Sequence, residues 1–155
     1  GQASFVDIPA GTYTFSIDFT ELPIGLTCKN KTEEIIAIGG NEDIYLNFPV
    51  VAAGRMSGVV FIDKNRNGIF DENEKPADDI LIYANDVPKY TAMNGKYRFT
   101  NLIPGIIKVK IDLKSLPENF EMTTKDSFEV KVLPVQEIKN IDFGIAEIEQ
   151  EIEFE

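Results

Sequence analysis

Histidine and tryptophan are absent from this chain, and cysteine occurs only once, at Cys28. Without histidine, Cys-His and Ser-His-Asp nucleophilic chemistry is excluded. A single thiol cannot form an intrachain disulfide, and a lone cysteine is most often a packed or surface residue rather than a nucleophile. The lack of disulfides does not exclude secretion, but it means that any stiffness must come from another source.

Positive charge and long apolar runs are also scarce. The chain has 15 Lys and Arg against 26 Asp and Glu, a formal net charge of −11. A nucleic-acid partner would need a basic face, so we expect none. No run reaches the roughly 18 apolar residues of a spanning helix, so we expect no membrane insertion. Glutamates alternate from Glu147 to Glu155 without any Lys or Arg, which predicts an acidic tail or linker over residues 148–155.

Residues 63–74 (DKNRNGIFDENE) match the twelve-residue calcium-loop pattern D-x-(D/N)-x-(D/N)-G-x5-E at every position. Side-chain oxygens one residue apart can converge on one ion, Gly68 allows the sharp turn, and a terminal glutamate supplies both carboxylate oxygens. The spacing therefore predicts Ca²⁺ bound by Asp63, Asn65, Asn67, Asp71 and Glu74 together with the backbone carbonyl of Ile69.

The flanks of this loop indicate a β scaffold rather than a pair of helices. A β-branched, apolar run over residues 57–62 precedes it, and Pro76 opposes a following helix. This combination favours an extracellular module, a class that binds calcium at about 10⁻⁴–10⁻³ M. The alternative is an Asx-rich surface turn that binds nothing. Asp78 and Asp79 are either further ligands or exposed charges, and we favour exposed charges.

An internal repeat organises the chain. Residues 5–18 match residues 99–112 at an offset of 94, and residues 47–50 match residues 142–145 at an offset of 95. We therefore predict the C-terminal part of a first module over residues 1–53 and a complete second module over residues 54–147. We expect the front of the first module, with its own calcium loop, to lie outside the chain. We expect the partial copy to pack on the complete module or to pair with another chain.

The pattern of short alternating runs and turn residues predicts an all-β sandwich. Asn94-Gly95 predicts a two-residue hairpin turn, because both residues tolerate a positive φ. In the complete module, Ile107, Val109 and Ile111 are expected to face the core. The predicted strands there are Met56–Asp63, Ile80–Asn85, Lys96–Thr100, Ile106–Asp112, Phe128–Leu133 and Ile138–Phe143.

These motifs together resemble the B-repeat domain of serine-aspartate-repeat surface adhesins, with collagen-adhesin B-type and carboxypeptidase regulatory-like domains as wider relatives. The resemblance covers residues 54–147, and residues 1–53 as a partial copy. It lies in Ser57–Asp63, Asn65–Gly68, Glu74–Pro76, Thr91, Asn94–Phe99, Leu102–Gly105 and Leu116-Pro117. It implies an immunoglobulin-like, prealbumin-like sandwich that calcium stiffens through the six loop residues. Where the collagen-adhesin branch carries a catalytic glutamate for an isopeptide bond, this chain has Ile111, so no such bond is expected.

The resemblance also implies a function. We expect a non-catalytic, calcium-stabilised spacer of a secreted or cell-surface bacterial protein, with neighbouring repeats of the same chain as its partners. One alternative is a binding module for a host protein or a glycan, since sandwich loops often carry recognition. The other is an accessory domain of a larger secreted enzyme. No carboxylate pair in the chain is marked out for acid–base work, so the fragment itself is not expected to be an enzyme.

Overall fold

The computed structural model describes residues 1–18, 21–30 and 32–149, which are nearly all β and contain no α-helix. The all-β prediction is confirmed. A short 3-10 helix lies at Leu113–Ser115. The strands are β1 (Gly11–Ser16), β2 (Leu26–Cys28), β3 (Glu33–Ile38), β4 (Val50–Ala52), β5 (Gly54–Ile62), β6 (Lys75–Pro76), β7 (Leu81–Ala84), β8 (Val87–Tyr90), β9 (Lys96–Leu102), β10 (Gly105–Ile111), β11 (Phe120–Met122), β12 (Ser127–Val132), β13 (Glu137–Ile138) and β14 (Phe143–Glu147).

Two sheets enclose the core of residues 54–147. One has the strand order β12-β10-β7-β8, and the other is built around β5, which pairs with β6, β9, β13 and β14. Strand β10 alternates as its sequence predicts: Ile107, Val109 and Ile111 are buried, whereas the lysines between them are exposed. Because successive side chains of a strand point to opposite faces, this alternation places one face of β10 against the other sheet. The fully buried centre of the core consists of Met56, Val60, Ile82, Val109, Val132, Phe143 and Ile145.

Residues 1–53, called the half-repeat below, contain two antiparallel strand pairs with the same register as their counterparts in residues 54–147. Strand β1 pairs with β3 so that Gly11 lies opposite Ile38, and β10 pairs with β12 so that Gly105 lies opposite Val132. Leu26 of β2 lies opposite Ala52 of β4, as Phe120 of β11 lies opposite Glu147 of β14. These pairs are related by the offsets of 94 and 95 seen in the sequence.

The predicted strand Ile138–Phe143 is wrong, because the structure divides it into β13 and β14 with residues 139–142 between them. Asn140 has a positive φ of 61°, which interrupts an extended chain. The carboxylate of Asp142 then accepts the Val59 backbone N–H at 2.9 Å. A side chain at Gly58 would lie 1.8 Å from the Ile141 carbonyl, so the two strands approach closely where the pairing is interrupted.

The prediction of a two-residue hairpin loop at Asn94-Gly95 is also wrong, because the loop has three residues. The Ala92 N–H donates to the Lys96 carbonyl at 2.9 Å, which closes a three-residue loop over Met93–Gly95. Gly95 has a φ of 67°, whereas Asn94 is not among the residues with a positive φ. This is the loop in which a type I turn is followed by one left-handed residue.

Two expectations concern membrane insertion and the tail. Among the described residues, no helix is long and apolar enough to cross a membrane. Of the acidic tail or linker predicted over residues 148–155, only Ile148 and Glu149 are described; residues 150–155 lie outside the described part of the chain.

We expect the Asp142→Asn variant to change how stability depends on pH. Partial burial raises the pKa of the Asp142 carboxyl, although its bond from Val59 opposes the shift. A carboxyl group whose pKa is raised by folding binds its proton more tightly in the folded state than in the unfolded state. The protonated group therefore stabilises the fold at low pH. This contribution is lost as the pH rises from the unfolded-state pKa through the folded-state pKa. Asparagine keeps an acceptor for Val59 but does not titrate. Urea unfolding from pH 3 to 7 should therefore show the stability of the variant, relative to the native chain, increasing with pH. A constant difference would contradict the assignment.

Candidate functional site

The predicted calcium loop is closed by strands at both ends. Asp63 directly follows β5, and its backbone N–H donates to the Ile145 carbonyl of β14 at 2.8 Å. After Glu74, strand β6 returns antiparallel to β5, with Lys75 opposite Ile62 and Pro76 opposite Phe61. The loop therefore spans two paired strands, and Pro76 begins no helix.

Asp63 organises the first half of the loop from a buried position. Its side chain is 0% exposed, and its two carboxylate oxygens accept the backbone N–H groups of Asn67 at 3.1 Å and Gly68 at 2.8 Å. A buried carboxylate is costly unless it is hydrogen-bonded, and these two donors meet that cost. Gly68 has a φ of 74°, so a glycine suits the sharp turn there.

The polar side chains at the third, fifth and ninth loop positions converge on each other. The Nδ2 groups of Asn65 and Asn67 donate to the same oxygen of Asp71, at 2.8 Å and 2.9 Å. The Oδ1 atom of Asn65 accepts the backbone N–H of Asn67, and the Oδ1 atom of Asn67 accepts the backbone N–H of Ile69. These contacts hold three predicted ligand side chains around one point.

The end of the loop is folded back by its last residue. The two carboxylate oxygens of Glu74 accept the backbone N–H groups of Lys64 at 2.9 Å and Asp71 at 3.1 Å. The side chain of Ile69 is exposed, as suits a residue predicted to act through its carbonyl. An open depression of about 460 Å³ is lined by Lys64, Asn65, Asp71, Glu72, Asn73 and Glu74.

The chemistry of these donors fits a hard cation, but carboxylates alone do not form the site. Within the described residues, no three His, Cys, Asp or Glu side chains are grouped closely enough to hold a metal. A cation would need the amide oxygens of Asn65 and Asn67 in addition, and the amides now turn their nitrogens toward Asp71. The oxygen and nitrogen of an asparagine amide exchange places by rotation about one bond. The donor types therefore suit calcium, but the two amides would have to rotate and give up the bonds that their Oδ1 atoms accept from the Asn67 and Ile69 N–H groups.

The structure adds contacts that the loop pattern does not contain. The guanidinium of Arg66 forms an ion pair with Glu121 of β11 at 2.7 Å and donates to the backbone carbonyl of Glu147 of β14 at 2.8 Å. Phe70 packs against Phe61 of β5, with ring centroids 5.1 Å apart. Arg66 and Phe70 occupy variable positions of the pattern, so no local signal marks them.

Behind the loop, Gly144 of β14 leaves room for two polar groups. A side chain at this position would lie 2.4 Å from the Thr123 hydroxyl and 3.2 Å from the Asp63 carboxylate. The Thr123 hydroxyl oxygen is buried and has no hydrogen-bond partner among the described residues. The Gly144 N–H donates to the side chain of Thr124 at 3.1 Å. The loop thus depends on β14, which follows it by about seventy residues in the chain.

Residues 54–133 match the SdrD B-like domain family. This region makes up just over half of the chain. It begins with β5 and ends directly after β12. No curated protein matches the chain in sequence.

Solved structures that are similar to the chain include two proteins, GBS52 and the TIE protein. One is GBS52, the minor pilin of the gram-positive pathogen Streptococcus agalactiae, with 12% identity and a TM-score of 0.52; the match covers 97% of this chain and 66% of the pilin. The other is the Bacillus anthracis TIE protein, with 18% identity and a TM-score of 0.43, covering 90% of this chain and 26% of that one. The chain therefore spans less than two thirds of either relative. The pilin likeness supports the immunoglobulin-like fold.

We expect Asp63→Ala to destabilise residues 54–147 even when metal is removed. The substitution leaves the backbone N–H groups of Asn67 and Gly68 without their charged acceptor, and a hydrogen bond to a charged group contributes roughly 1.5–3 kcal/mol to stability. Urea unfolding in EDTA measures the change. Asp78→Ala removes an exposed carboxylate just beyond the loop and should stay within about 0.5 kcal/mol of the native chain. Equal stability of the two variants would show that Asp63 does not organise the loop.

Proposed function

We propose that this chain, which belongs to the SdrD B-like domain family, is a non-catalytic structural spacer of a bacterial surface protein. In this role, repeats stacked end to end hold other parts of the protein at a set distance. The family assignment supports a structural module of a surface protein. The pilin neighbour is itself a protein of a gram-positive bacterium, and we extend an extracellular or cell-surface location to this chain as part of the proposal.

The junction between the half-repeat and the complete repeat carries this proposal. Strand β4 ends at Ala52 and β5 begins at Gly54, so one residue separates them. That residue, Ala53, is 5% exposed. Its N–H donates to the Gly25 carbonyl of the half-repeat at 2.7 Å, and its carbonyl accepts the Val135 N–H of the complete repeat at 3.1 Å. A flexible linker is long, exposed and rich in Gly and Ser; this junction has none of these properties.

Close packing restricts the junction further. A side chain at Gly54 would lie 2.1 Å from a methyl of Val132, so the start of β5 is pressed against β12. The next residue, Arg55, donates its backbone N–H to the Gln136 carbonyl at 2.8 Å. Because the chain is bonded on both sides of Ala53, bending at this point would break several contacts at once.

The complete repeat ends as the half-repeat does. The Ile148 N–H donates to the Asn119 carbonyl at 2.7 Å. Ile148 corresponds to Ala53 at an offset of 95, and Asn119 corresponds to Gly25 at an offset of 94, so this bond is the counterpart of the bond from Ala53 to Gly25. Gly25 and Asn119 also share a positive φ, of 87° and 64°. The chain thus leaves both repeats along the same path, which supports neighbouring repeats of one chain as the partners of this module.

We propose that calcium, when bound, stiffens the complete repeat through the six predicted ligands. Asp63, Asn65, Asn67, Asp71 and Glu74 would hold the ion with side-chain oxygens, and Ile69 with its carbonyl. The ion supplies positive charge that draws these oxygens together. The existing hydrogen bonds of Asp63 and Glu74 to loop N–H groups already hold the backbone in place. Arg66 connects the loop to Glu147 at the end of β14, one residue before Ile148. The alternatives, a host-protein or carbohydrate ligand and an enzyme-accessory role, stay predictions.

Calcium should raise the melting temperature of the chain, and Glu74→Ala should abolish the increase. A ligand at ten times its Kd that binds only the folded state stabilises by about 1.4 kcal/mol. Calorimetric titration of the native chain should show one saturable site, and melting curves in EDTA and in millimolar Ca²⁺ should differ. Glu72→Ala is the matched control, because it removes a carboxylate of the same loop at a position outside the ligand pattern. If the native chain takes up no calcium, the metal part of the proposal is wrong and the spacer part is untouched.

A Gly-Ser-Gly-Ser insertion between Ala53 and Gly54 should make the junction flexible without unfolding the complete repeat. The insertion detaches Ala53 from the start of β5, so the bond from the Val135 N–H to the Ala53 carbonyl is no longer held in place by the adjoining strand. Spin labels on cysteines introduced at Thr14 and Lys131, both exposed, report the distance between the repeats in a Cys28→Ala background. The uninserted chain should give a narrow distance distribution, and the inserted chain a broad one. Equally broad distributions would contradict a rigid spacer.

A further inference from the structure

One buried hydroxyl lies beside the carboxylate that organises the loop. The Oγ1 atom of Thr123, which follows β11, is buried and has no hydrogen-bond partner in the part of the chain that the structure describes. Buried polar groups in folded proteins are almost always bonded, so this one needs an explanation. A threonine hydroxyl has one proton to donate. The nearby carboxylate of Asp63 is an acceptor that could take it.

The outer face of the sheet brings Thr123 and Asp63 to the same place. Gly144 of β14 lies opposite Phe61 of β5 on one edge, and on the other edge its carbonyl accepts the Thr123 N–H at 2.9 Å. Asp63 follows Phe61 by two residues and therefore shares its face. A side chain at position 144 would meet the Phe61 ring, the Thr123 hydroxyl and the Oδ2 atom of Asp63. All three groups thus border the space over Gly144.

The two oxygens are close enough to interact across this space. A Cβ atom at Gly144 would lie 2.4 Å from Thr123 Oγ1 and 3.2 Å from Asp63 Oδ2. The oxygens are therefore no farther apart than the sum of these two distances, a separation that a side-chain rotation closes or one water molecule bridges. The carboxylate has capacity for a further donor, because it can accept about four hydrogen bonds. It accepts the N–H groups of Asn67 and Gly68.

The burial of Asp63 makes a further donor important. Asp63 is fully buried, and a buried carboxylate depends on hydrogen bonds from the protein because it has lost those to water. Its Oδ2 atom accepts the Gly68 N–H, and its Oδ1 atom accepts the Asn67 N–H. A second donor at Oδ2 fixes that oxygen on the strand side and keeps Oδ1 turned toward the interior of the loop.

The strand pairing by itself does not require a threonine and a glycine at these positions. In the half-repeat, Lys29 corresponds to Thr123 at an offset of 94, and Pro49 corresponds to Gly144 at an offset of 95. The Lys29 N–H donates to the Pro49 carbonyl at 2.9 Å, as the Thr123 N–H donates to the Gly144 carbonyl. The same backbone bond therefore forms with either pair of residues. What the threonine and the glycine add is a hydroxyl, and room for it, on the face where Asp63 lies.

We propose that Thr123 is a positioning residue for Asp63: its hydroxyl donates to the Asp63 carboxylate across the space over Gly144. The first residue of the loop is then held by a segment that follows it by sixty residues in the chain. Thr123 lies outside the loop pattern and acts through Asp63. The importance of this contact for calcium rests on the proposed function, whereas the contact itself is tested without metal.

A double-mutant cycle tests whether Thr123 acts through Asp63. Thr123→Val replaces the hydroxyl by a methyl group, and its effect on urea unfolding in EDTA is measured in the native chain and in the Asp63→Ala background. The substitution should lower the unfolding midpoint of the native chain, and it should not lower that of the Asp63→Ala chain. A higher midpoint in the native chain, or an equal decrease in both backgrounds, would overturn the proposal.

Amide exchange gives a second measurement that needs no variant at Asp63. The Gly68 N–H is bonded to Asp63 Oδ2, whereas the Lys64 N–H is bonded to Glu74 at the other end of the loop. In Thr123→Val, exchange followed by NMR should be up to about tenfold faster at Gly68, the change that the loss of one bond to a charged group produces. Exchange at Lys64 should stay native. Equal acceleration at both amides, or none at Gly68, would contradict the proposal.

Two variants separate this role from a general loss of stability. Thr123→Ser keeps the hydroxyl and should restore the native exchange rate at Gly68. Thr91→Val removes another buried threonine hydroxyl of the complete repeat, which donates to the Ala77 carbonyl and accepts the Ile80 N–H. This control should lower the unfolding midpoint while exchange at Gly68 stays native. Failure of serine to restore the rate, or faster exchange at Gly68 in Thr91→Val, would show that Thr123 does not act through Asp63.

Discussion

Strand β5 must pair along both edges at once, and the rest of the complete repeat depends on this constraint. Strand β9 lies antiparallel on one edge, and β13 and β14 lie parallel on the other. Gly58 lies close to the Ile141 carbonyl at the point where β13 and β14 are separated. There the Asp142 carboxylate, rather than a backbone carbonyl, accepts the Val59 N–H. The beginning of β5 forms the junction at Ala53, and its end delivers Asp63 to the loop. One strand therefore links the core, the junction and the candidate metal centre.

The loop is a polar structure built onto a buried anchor. Two backbone N–H groups hold the Asp63 carboxylate, and two others hold the Glu74 carboxylate at the other end of the loop. In the proposed calcium site, such hydrogen bonds would orient the carboxylates in advance, which would lower the ordering cost of binding. The ion pair of Arg66 with Glu121 is exposed and contributes little to stability by itself. Its importance is positional, since together with the bond to Glu147 it connects the loop to the strand that leads out of the repeat.

The two copies show how far strand pairs can keep their geometry without the remainder of a sandwich. Registers, positive φ angles and loop hydrogen bonds recur at offsets of 94 and 95. These features are set by contacts within each hairpin or between its neighbours. Burial does not recur, because it needs the opposite sheet, and Phe5 and Phe99 differ for that reason. The half-repeat is thus regular in its backbone and incomplete in its packing.

The sequence by itself determined the features that depend on neighbouring residues: the alternation of Ile107, Val109 and Ile111, the repeat, and the spacing of the twelve loop residues. The family followed from the same motifs. Only the tertiary structure decided where Ile138–Phe143 breaks, how Arg66 reaches Glu121 and Glu147, and how deeply Asp63 is buried. The physical reason is distance along the chain. Propensity and spacing act within a few residues, whereas β5 meets Ile141, Asp142 and β14 only after the sandwich has closed.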